Sequence, residues 1–519
     1  MTDIITGIGG YSSNHESYES NPFDLFYDPE FKESIGEPII VEYRPGNNEG
    51  KNGVPYNFEF SSESNMYIRL DNARIRGKAK IVKCSDGSPP NSINTVIVAP
   101  PPTPPAQDGQ TGQAGQSGQA GQSGQAGTVD TAPAPSDTKK RKANDPADDQ
   151  ITSTIQPHSK SGYTVVNNIF PALFSKQSIT VQDTDISDPT VDDNLFKSYF
   201  LHNLNFSREY KKYVCSNPGW GWIEDYHTGQ INRQELNNRS DVINPNSPFG
   251  KRRNNLIAGF QEFSIPLMTD LSTSKKYLPP GQKYKITLNR SSENFYMITD
   301  NNSDELKIIL EDVHLVLEKV PLTSDGEKEF QRNLEMKQMK MFFTMNRMKP
   351  YTVSPGNTDW GKYEFHRGIL PRAIYIAFQT QKAFSGDRTK NPYVFVVPEL
   401  EQAQIIVNSQ PFPYKPLTLS SDTKVALWES FLNNTGHIVN ESTCVPISYD
   451  EYYGNNFMLA WDRSHAKDNG FKLHPSDKGS LSLNLKVRSE KTETMVVIVM
   501  MTFDCVLNFE GDQAYVQQI

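Results

Sequence analysis

Apolar residues recur at every second position through much of this chain. In residues 306–320, LKIILEDVHLVLEKV, the set Leu306, Ile308, Leu310 is followed by Val313, Leu315, Leu317. Such alternation places one face of a strand in a core and the other in water. Residues 66–84 alternate apolar with basic side chains and read as a half-exposed strand pair. KYKITL and NFYMI carry shorter strand patterns between these two stretches. The end of the chain repeats the theme. Leu481, Leu483, Leu485 and Val487 alternate with polar residues, and SEKTET (489–494) makes a polar loop. Residues 495–501 are then apolar on both faces, as a central strand covered on each side must be. Phe503, Cys505, Leu507 and Phe509 restore the alternation, which places Cys505 in the core as a small apolar residue.

Helical pattern is scarcer. SDGEKEFQRNLEMKQMKMFF (324–343) is the best case. Ser324 is suited to cap the first turn, and Glu327 stands three residues on, as a capping box requires. Phe330, Leu334 and Met341 fall near one face. Met336, Met339, Met341, Met345 and Met348 read as core filling. Each half of the chain is thus β-rich and closes with two long apolar strands, and the helix lies between the halves. Two antiparallel sandwiches in one chain are the natural architecture, and all-β is the expected fold class.

Composition changes this picture at one segment. From 85 to 150 the chain is rich in Pro, Ser, Gln and Gly, and Gly recurs at every third position from Gly109 to Gly127. A collagen helix needs that period, but no Pro lies inside this run and it holds only about six triplets. A solvated linker, extending to about residue 161, is expected. Within it, Lys139, Lys140, Arg141 and Lys142 form a nuclear-import candidate. The expected divisions are an N-terminal arm (1–36) of low order and a first sandwich (37–321) with the insertion at about 85–161. A helical connector (322–340), a second sandwich (341–511) and a tail (512–519) follow.

The chain of 519 residues carries 52 basic and 61 acidic side chains, a net charge of −9. A surface coated throughout with nucleic acid is therefore not expected. The four cysteines, Cys84, Cys215, Cys444 and Cys505, contain no C-x-x-C pair, so a zinc ribbon is not expected. The N-terminal residues have neither a basic start nor an apolar core and do not read as a signal peptide. No apolar run approaches 18 residues, so no membrane span is expected.

Motifs for chemistry are missing. There is no G-x-S-x-G elbow, P-loop or G-x-G-x-x-G. His227, with Glu224 and Asp225 near it, is the nearest approach to a metal cluster and reads as a surface loop. No catalytic residue, metal ligand or cofactor is expected, and the chain does not read as an enzyme. NPGWGWIEDY (217–226) sets Trp220 and Trp222 in a Gly/Pro loop. They are candidates for exposed aromatic contacts with a sugar or partner, or alternatively a cap on the end of a sandwich. FGKRRNN (249–255) reads as a short basic loop in solvent.

GILPRAIYIAF, AFSGDRTKNPYVF, AQIIVNSQPFPYKPL and MVVIVMMTFDCVLNF resemble the C-terminal half of double jelly-roll major capsid proteins of the Polinton/Maverick and adintovirus type. The matching positions are Gly368, Leu370, Pro371 and Arg372; Ala383, Phe384 and Gly386; Lys390, Asn391 and Pro392; and Pro413, Pro416 and Leu417. The likeness is good over residues 337–510 and weaker over 37–320, and the insertion departs from the family pattern. It implies two consecutive jelly rolls joined by a short helical connection. It also implies a hexon-like structural protein that forms homotrimers of near-hexagonal outline and tiles an icosahedral shell of a DNA virus or virus-like transposon. A minor or penton-like capsid role, or a glycan- or receptor-binding sandwich, is the alternative. Implied partners are the chain itself, neighbouring capsomers, penton and minor capsid proteins, and packaged DNA through the basic linker. The implied location is the virion, after synthesis in host cytoplasm and with assembly in the host nucleus. SGDRTKNPY (385–393) is expected at an outward end of the second sandwich, with Asn391-Pro392 turning the chain into its next strand.

Overall fold

The structure, a computed structural model, describes residues 36–46, 53–85, 87, 163–186, 194–222, 248–274, 276–299, 306–336, 339–420, 422–437, 447–454, 456–464, 477–510 and 513–518. Ahead of the helix Ser324–Met336 the strands, in chain order, are β1 (Ile39–Tyr43), β2 (Tyr56–Ser61), β3 (Met66–Lys83), β4 (Tyr163–Val165), β5 (Phe174–Val181), β6 (Thr184–Asp185), β7 (Gln261–Pro266), β8 (Lys283–Arg290), β9 (Met297–Thr299) and β10 (Leu306–Pro321). Behind it come β11 (Met339–Val353), β12 (Lys362–Ile369), β13 (Ala373–Thr380), β14 (Leu400–Val407), β15 (Gln410–Leu417), β16 (Leu459–Asp462), β17 (Lys478–Val487), β18 (Met495–Glu510) and β19 (Gln513–Gln518).

Among the described residues no sheet mixes strands from the two sides of that helix. The first side forms β1-β10-β3-β7 and β2-β8-β5-β6, with β4 and β9 as a separate pair. The second forms β11-β18-β13-β16, with β19 also on β18, and β12-β17-β14-β15. With β4, β9 and β19 set aside, the described residues form eight strands on each side. Counted from one to eight, both sides read 1-8-3-6 in one sheet and 2-7-4-5 in the other. Two four-stranded antiparallel sheets in this double Greek-key order are a jelly roll. The chain therefore folds as two jelly rolls of identical strand order.

Local chemistry repeats as well. The fourth strand turns into the fifth through two left-handed residues in both halves: Gln182 and Asp183 between β5 and β6, Asn408 and Ser409 between β14 and β15. Two consecutive residues with φ > 0 match the twist of a two-residue hairpin.

The apolar alternation accounts for the cores. Ile68, Leu70, Ile75 and Ile81 of β3 share the inner face of their sheet with Leu315 and Leu317 of β10 and join one core with Phe58, Ile179 and Ile286 of the facing sheet. In the second sandwich Leu481, Leu483, Leu485 and Val487 meet the inner face of β18. Residues 495–501 are buried on both faces, and β18 lies inside its sheet, with β11 paired along one edge and β13 along the other. Cys505 is fully buried, and burial pushes its thiol up to about 12.

Four local expectations need correction. Residues 66–83 form one strand of 18 residues rather than a pair, because β10 pairs along the whole of it through two register shifts. The helix cap is Thr323, whose Oγ1 accepts from the Gly326 amide at 3.3 Å, one residue before Ser324. Residues 249–255 lie in the helix Pro248–Ile257, where Arg252 and Arg253 are buried and Arg252 donates from Nε to the Val165 carbonyl at 3.2 Å. Residues 513–518, set apart as a tail, form β19 against the far end of β18.

Candidate functional site

The helix Asn194–Asn205 packs its aromatic stripe against the second sandwich. Phe196, Tyr199, Phe200 and Asn203 are spaced as one face of a helix. Tyr199 stacks on Tyr393 with ring centres 4.2 Å apart and planes at 7°, and Phe196 stacks on Phe384 at 5.3 Å and 3°. Phe395 meets Tyr199 and Phe200 edge-on. Stacked and edge-on ring pairs of this kind each contribute about 0.5–1.5 kcal/mol beyond their buried area.

Polar bonds fix the register of this seam. The Tyr393 hydroxyl donates to the Leu195 carbonyl at 2.9 Å, and Tyr199 donates its hydroxyl to Asn456 Oδ1 at 3.1 Å. Arg388 Nε donates to Asn294 Oδ1 at 2.8 Å, while the Thr299 amide donates to the Arg388 carbonyl at 2.8 Å. Deeper in, Lys197 Nζ lies 2.7 Å from Asp270 Oδ1, and both side chains are almost wholly buried. The same carboxylate oxygen accepts the Asn346 amide of β11 at 3.2 Å, and Asn346 Oδ1 accepts from Thr502 Oγ1 of β18 at 2.8 Å. At the far end Thr184 Oγ1 of β6 donates to the Ala514 carbonyl of β19 at 2.6 Å. The two jelly rolls are thereby joined through buried side chains from strands, helices and loops on both sides.

The SGDRTKNPY loop, at the end of the second sandwich between β13 and β14, packs on the first sandwich at this seam. Its polarity suggested water, but its polar groups are bonded internally. Asp387 Oδ1 accepts from the Thr389 amide and hydroxyl, and the Asn391 side chain accepts the Tyr393 amide at 3.0 Å. Gly386 takes φ = +81°, and a Cβ there would stand 3.2 Å from the Asn294 backbone. Glycine lets the loop approach the first sandwich at that point. Pro392 follows the Asn391 turn and offers its carbonyl to Gln379.

The other signature positions serve the second sandwich itself. Gly368 (φ = +126°), buried Leu370, Pro371 and Arg372 turn the chain from β12 in one sheet to β13 in the other. Arg463 Nη1 donates to the Pro371 carbonyl at 2.9 Å, and Arg372 pairs with Asp504 at 3.4 Å. Pro413 and Pro416 lie in β15, an edge strand, where a missing N–H costs no ladder bond and blunts sheet extension.

Trp220 and Trp222 are not exposed. Their relative exposures are 1% and 2%, which removes the surface for sugar or partner stacking expected at this loop. The physical reason is the box around them. Trp220 donates from Nε1 to Asn168 Oδ1 at 3.2 Å, Arg74 lies 5.9 Å over its ring, and His202 sits 4.1 Å from Trp222. His202 has no hydrogen-bond partner for either ring nitrogen among the described residues. Burial, and next the Lys211 ammonium, hold its pKa well below the usual imidazole value of 6.5. Burial lowers His366 and His437 in the same direction. Below pH of about 6.5 the unfolded chain then binds more protons than the folded one, so stability falls as pH drops through that range. The melting midpoint is expected to be lower at pH 5 than at pH 7.5, and His202→Phe should reduce the difference.

Among the described residues no group of three or more His, Cys, Asp or Glu side chains is placed to hold a metal ion, and no helix is long and apolar enough to cross a membrane. Lys139, Lys140, Arg141 and Lys142, like His227 and Cys444, lie outside the described residues. Sequence reasoning missed Lys197, Asp270 and Asn456. The aromatic spacing at 196, 199 and 200 was the available signal for their helix.

No protein-family model matches the sequence, and no curated protein matches it as a relative. Solved structures do match. A chain of the Sputnik virophage, from a cryo-EM structure at 3.5 Å, superposes with a TM-score of 0.54 at 8% identity, over 100% of this chain and 93% of that one. The Faustovirus major capsid protein gives 0.50 at 8% identity over 95% and 94%. A chain of the PBCV-1 virus capsid gives 0.50 at 8% over 95% and 99%. Identity this low carries the fold alone, and that fold is the double jelly roll these viral chains share with the present one over nearly their whole lengths.

Proposed function

We propose that this chain is a major capsid protein, a hexon-like block whose homotrimers tile an icosahedral shell. The observation that carries this reading is the pairing of two jelly rolls of identical strand order in one chain, locked by a buried seam. Three such chains present six equivalent sandwiches around one axis, the outline that packs a facet. Shell building calls for large complementary surfaces and no reacting groups. The likeness in fold to the Faustovirus major capsid protein supports it. A virion location follows, with neighbouring capsomers, penton and minor capsid proteins as partners. The basic residues Lys139 to Lys142 are the candidates for contact with packaged DNA and for nuclear import.

Light scattering after gel filtration tests it. The expected particle has three times the chain mass of 58.6 kDa, about 176 kDa, and shows a near-hexagonal outline in negative stain. A monomer of chain mass at physiological salt overturns the reading.

A further inference from the structure

The last turn of the helix Asn194–Asn205 gathers three bases from both sandwiches. His202 of the helix is fully buried, with Trp222 4.1 Å, Phe206 5.0 Å and Trp220 5.9 Å from its ring centre. Lys211 comes from a π-helical turn, Lys211–Cys215, a rare kind of turn that recurs at functional sites. It is buried, lies 5.5 Å over the ring of the same Trp222 and donates from Nζ to Asn203 Oδ1 at 3.0 Å. His437 reaches in from the second sandwich, its Nε2 3.3 Å from the Leu204 carbonyl. Asn456 and Glu451 of that sandwich complete the corner. Asn203 donates from Nδ2 to Asn456 Oδ1 at 3.3 Å, and Glu451 stands 3.8 Å from Arg208.

We infer that residues 206–222 are an acid-released clasp on this end of the seam, closed while His202 and His437 are neutral and opened when they take up protons. The clasp lies within one chain and does not depend on the shell-protein reading.

The corner offers a new proton no balance. Neither ring nitrogen of His202 has a hydrogen-bond partner among the described residues, and Nδ1 of His437 has none either. Protonated, His202 would carry two N–H donors into a box of aromatic rings closed to water. The Trp222 ring already carries the Lys211 ammonium. The other cations are Arg208 and Arg74 of β3, which lies 5.9 Å over the Trp220 ring. Glu451 is the carboxylate that faces the corner from the second sandwich. It is spoken for by Arg208 and by the Ser448 amide, which donates to its Oε2 at 2.7 Å. Burial pushes the Cys215 thiol up to about 12, so it stays neutral, and Glu209 and Lys212 are exposed. Burial first, and then Lys211, opposes a proton on His202. At His437 burial again leads, the Leu204 carbonyl favours the proton, and Lys211 opposes it.

Opening relieves all of this at once. Residues 206–222, moved off the helix, take Lys211 and Trp222 away from His202 and let water reach the imidazoles. The bonds that resist are single ones: Trp220 to Asn168, Lys211 to Asn203, and the Ser264 amide to the Gly219 carbonyl. Tyr199 packs on Trp222 and stacks on Tyr393, so the seam loses part of its cover when the clasp moves.

Hydrogen exchange of the full chain, read by mass spectrometry and corrected for the direct effect of pH on exchange, tests the clasp. An imidazole freed by opening takes up its proton below about pH 6.5, so acid favours the open form. For His202 alone the open population should rise by about 30-fold between pH 7.5 and pH 5. Protection of residues 206–222 should fall by that factor and stay well below that of β18, the mark of a local opening. His202→Phe keeps a ring in the box and should remove most of the fall, and His437→Gln should remove the remainder. Lys211→Met should make the fall smaller, because it takes away the cation that opposes the proton. It also decides the matter should His202→Phe fail to fold. Unchanged protection in the wild type, or a fall of the same size in His202→Phe and Lys211→Met, overturns the clasp. Protection of 206–222 equal to that of β18 at both pH values overturns it as well, since the segment then opens only with the whole fold.

Discussion

Replacing Asp270 with alanine is expected to lower stability by about 3–5 kcal/mol, the cost of breaking one side of a buried ion pair. The substitution removes the partner 2.7 Å from Lys197 Nζ and the acceptor of the Asn346 amide in one step. Neither group regains water easily, because Lys197 and Asn346 are both buried. The loss should be felt at the seam before either core, since the carboxylate bridges a helix of the first sandwich and β11 of the second. Urea unfolding of the single variants and of Lys197→Met with Asp270→Leu separates two meanings of that number. A well-packed apolar pair is often as stable as the ion pair it replaces. The double variant should therefore recover most of the loss, and a positive coupling energy would show that the residues act together. A loss below about 1 kcal/mol for Asp270→Ala would mean the carboxylate is a solvated surface group, against its burial.

The strands were legible in the sequence wherever one face is wet. Leu481 to Val487 and Leu306 to Leu317 alternate because β17 and β10 separate core from solvent, and period two survives in the residue types. Residues 495–501 were legible for the opposite reason, since only a strand paired on both edges and covered on both faces is apolar throughout. The seam was not legible. Asp387, Arg388, Thr389 and Lys390 have the composition of a solvated loop, and nothing local reveals that Asn294 and Thr299 bind them. A bond between distant segments leaves no periodicity in either. The exposed reading of Trp220 and Trp222 failed likewise, and their burial leaves the alternative, a cap on the end of a sandwich, standing. Gly and Pro around them mark a turn correctly, but turns with large rings can fold inward, and here Asn168, Arg74 and His202 give the rings partners inside.

Gly221→Ala is the second substitution expected to act strongly, at about 2–5 kcal/mol. Two independent terms add. Gly221 holds φ = +76°, where a side chain costs about 1–2 kcal/mol. A Cβ there would also run into Ile169 Cγ2 and stand 3.1 Å from Phe170 Cδ2, and overpacking of a closed core costs about 1–3 kcal/mol. Neighbouring bonds limit escape. Trp220 is tied to Asn168, and the amides of Gly221 and Trp222 are bonded to the carbonyls of Asn217 and Cys215. Ile169→Ala in the Gly221→Ala background separates the terms. It should return the steric part and leave the backbone part, whereas Ile169→Ala alone should cost stability through the cavity it makes. The strain also has a path to the seam, because Trp222 packs on Tyr199, 5.8 Å between ring centres, and Tyr199 stacks on Tyr393. Gly221→Ala should accordingly shift tryptophan fluorescence and loosen the contact between the sandwiches. Exchange of the Thr299 amide, which is bonded to Arg388 across that contact, should speed up more than that of Ile498 in the centre of β18. If both amides speed up equally, the damage is global, and the turn at Gly221 acts on the first core without reaching the seam.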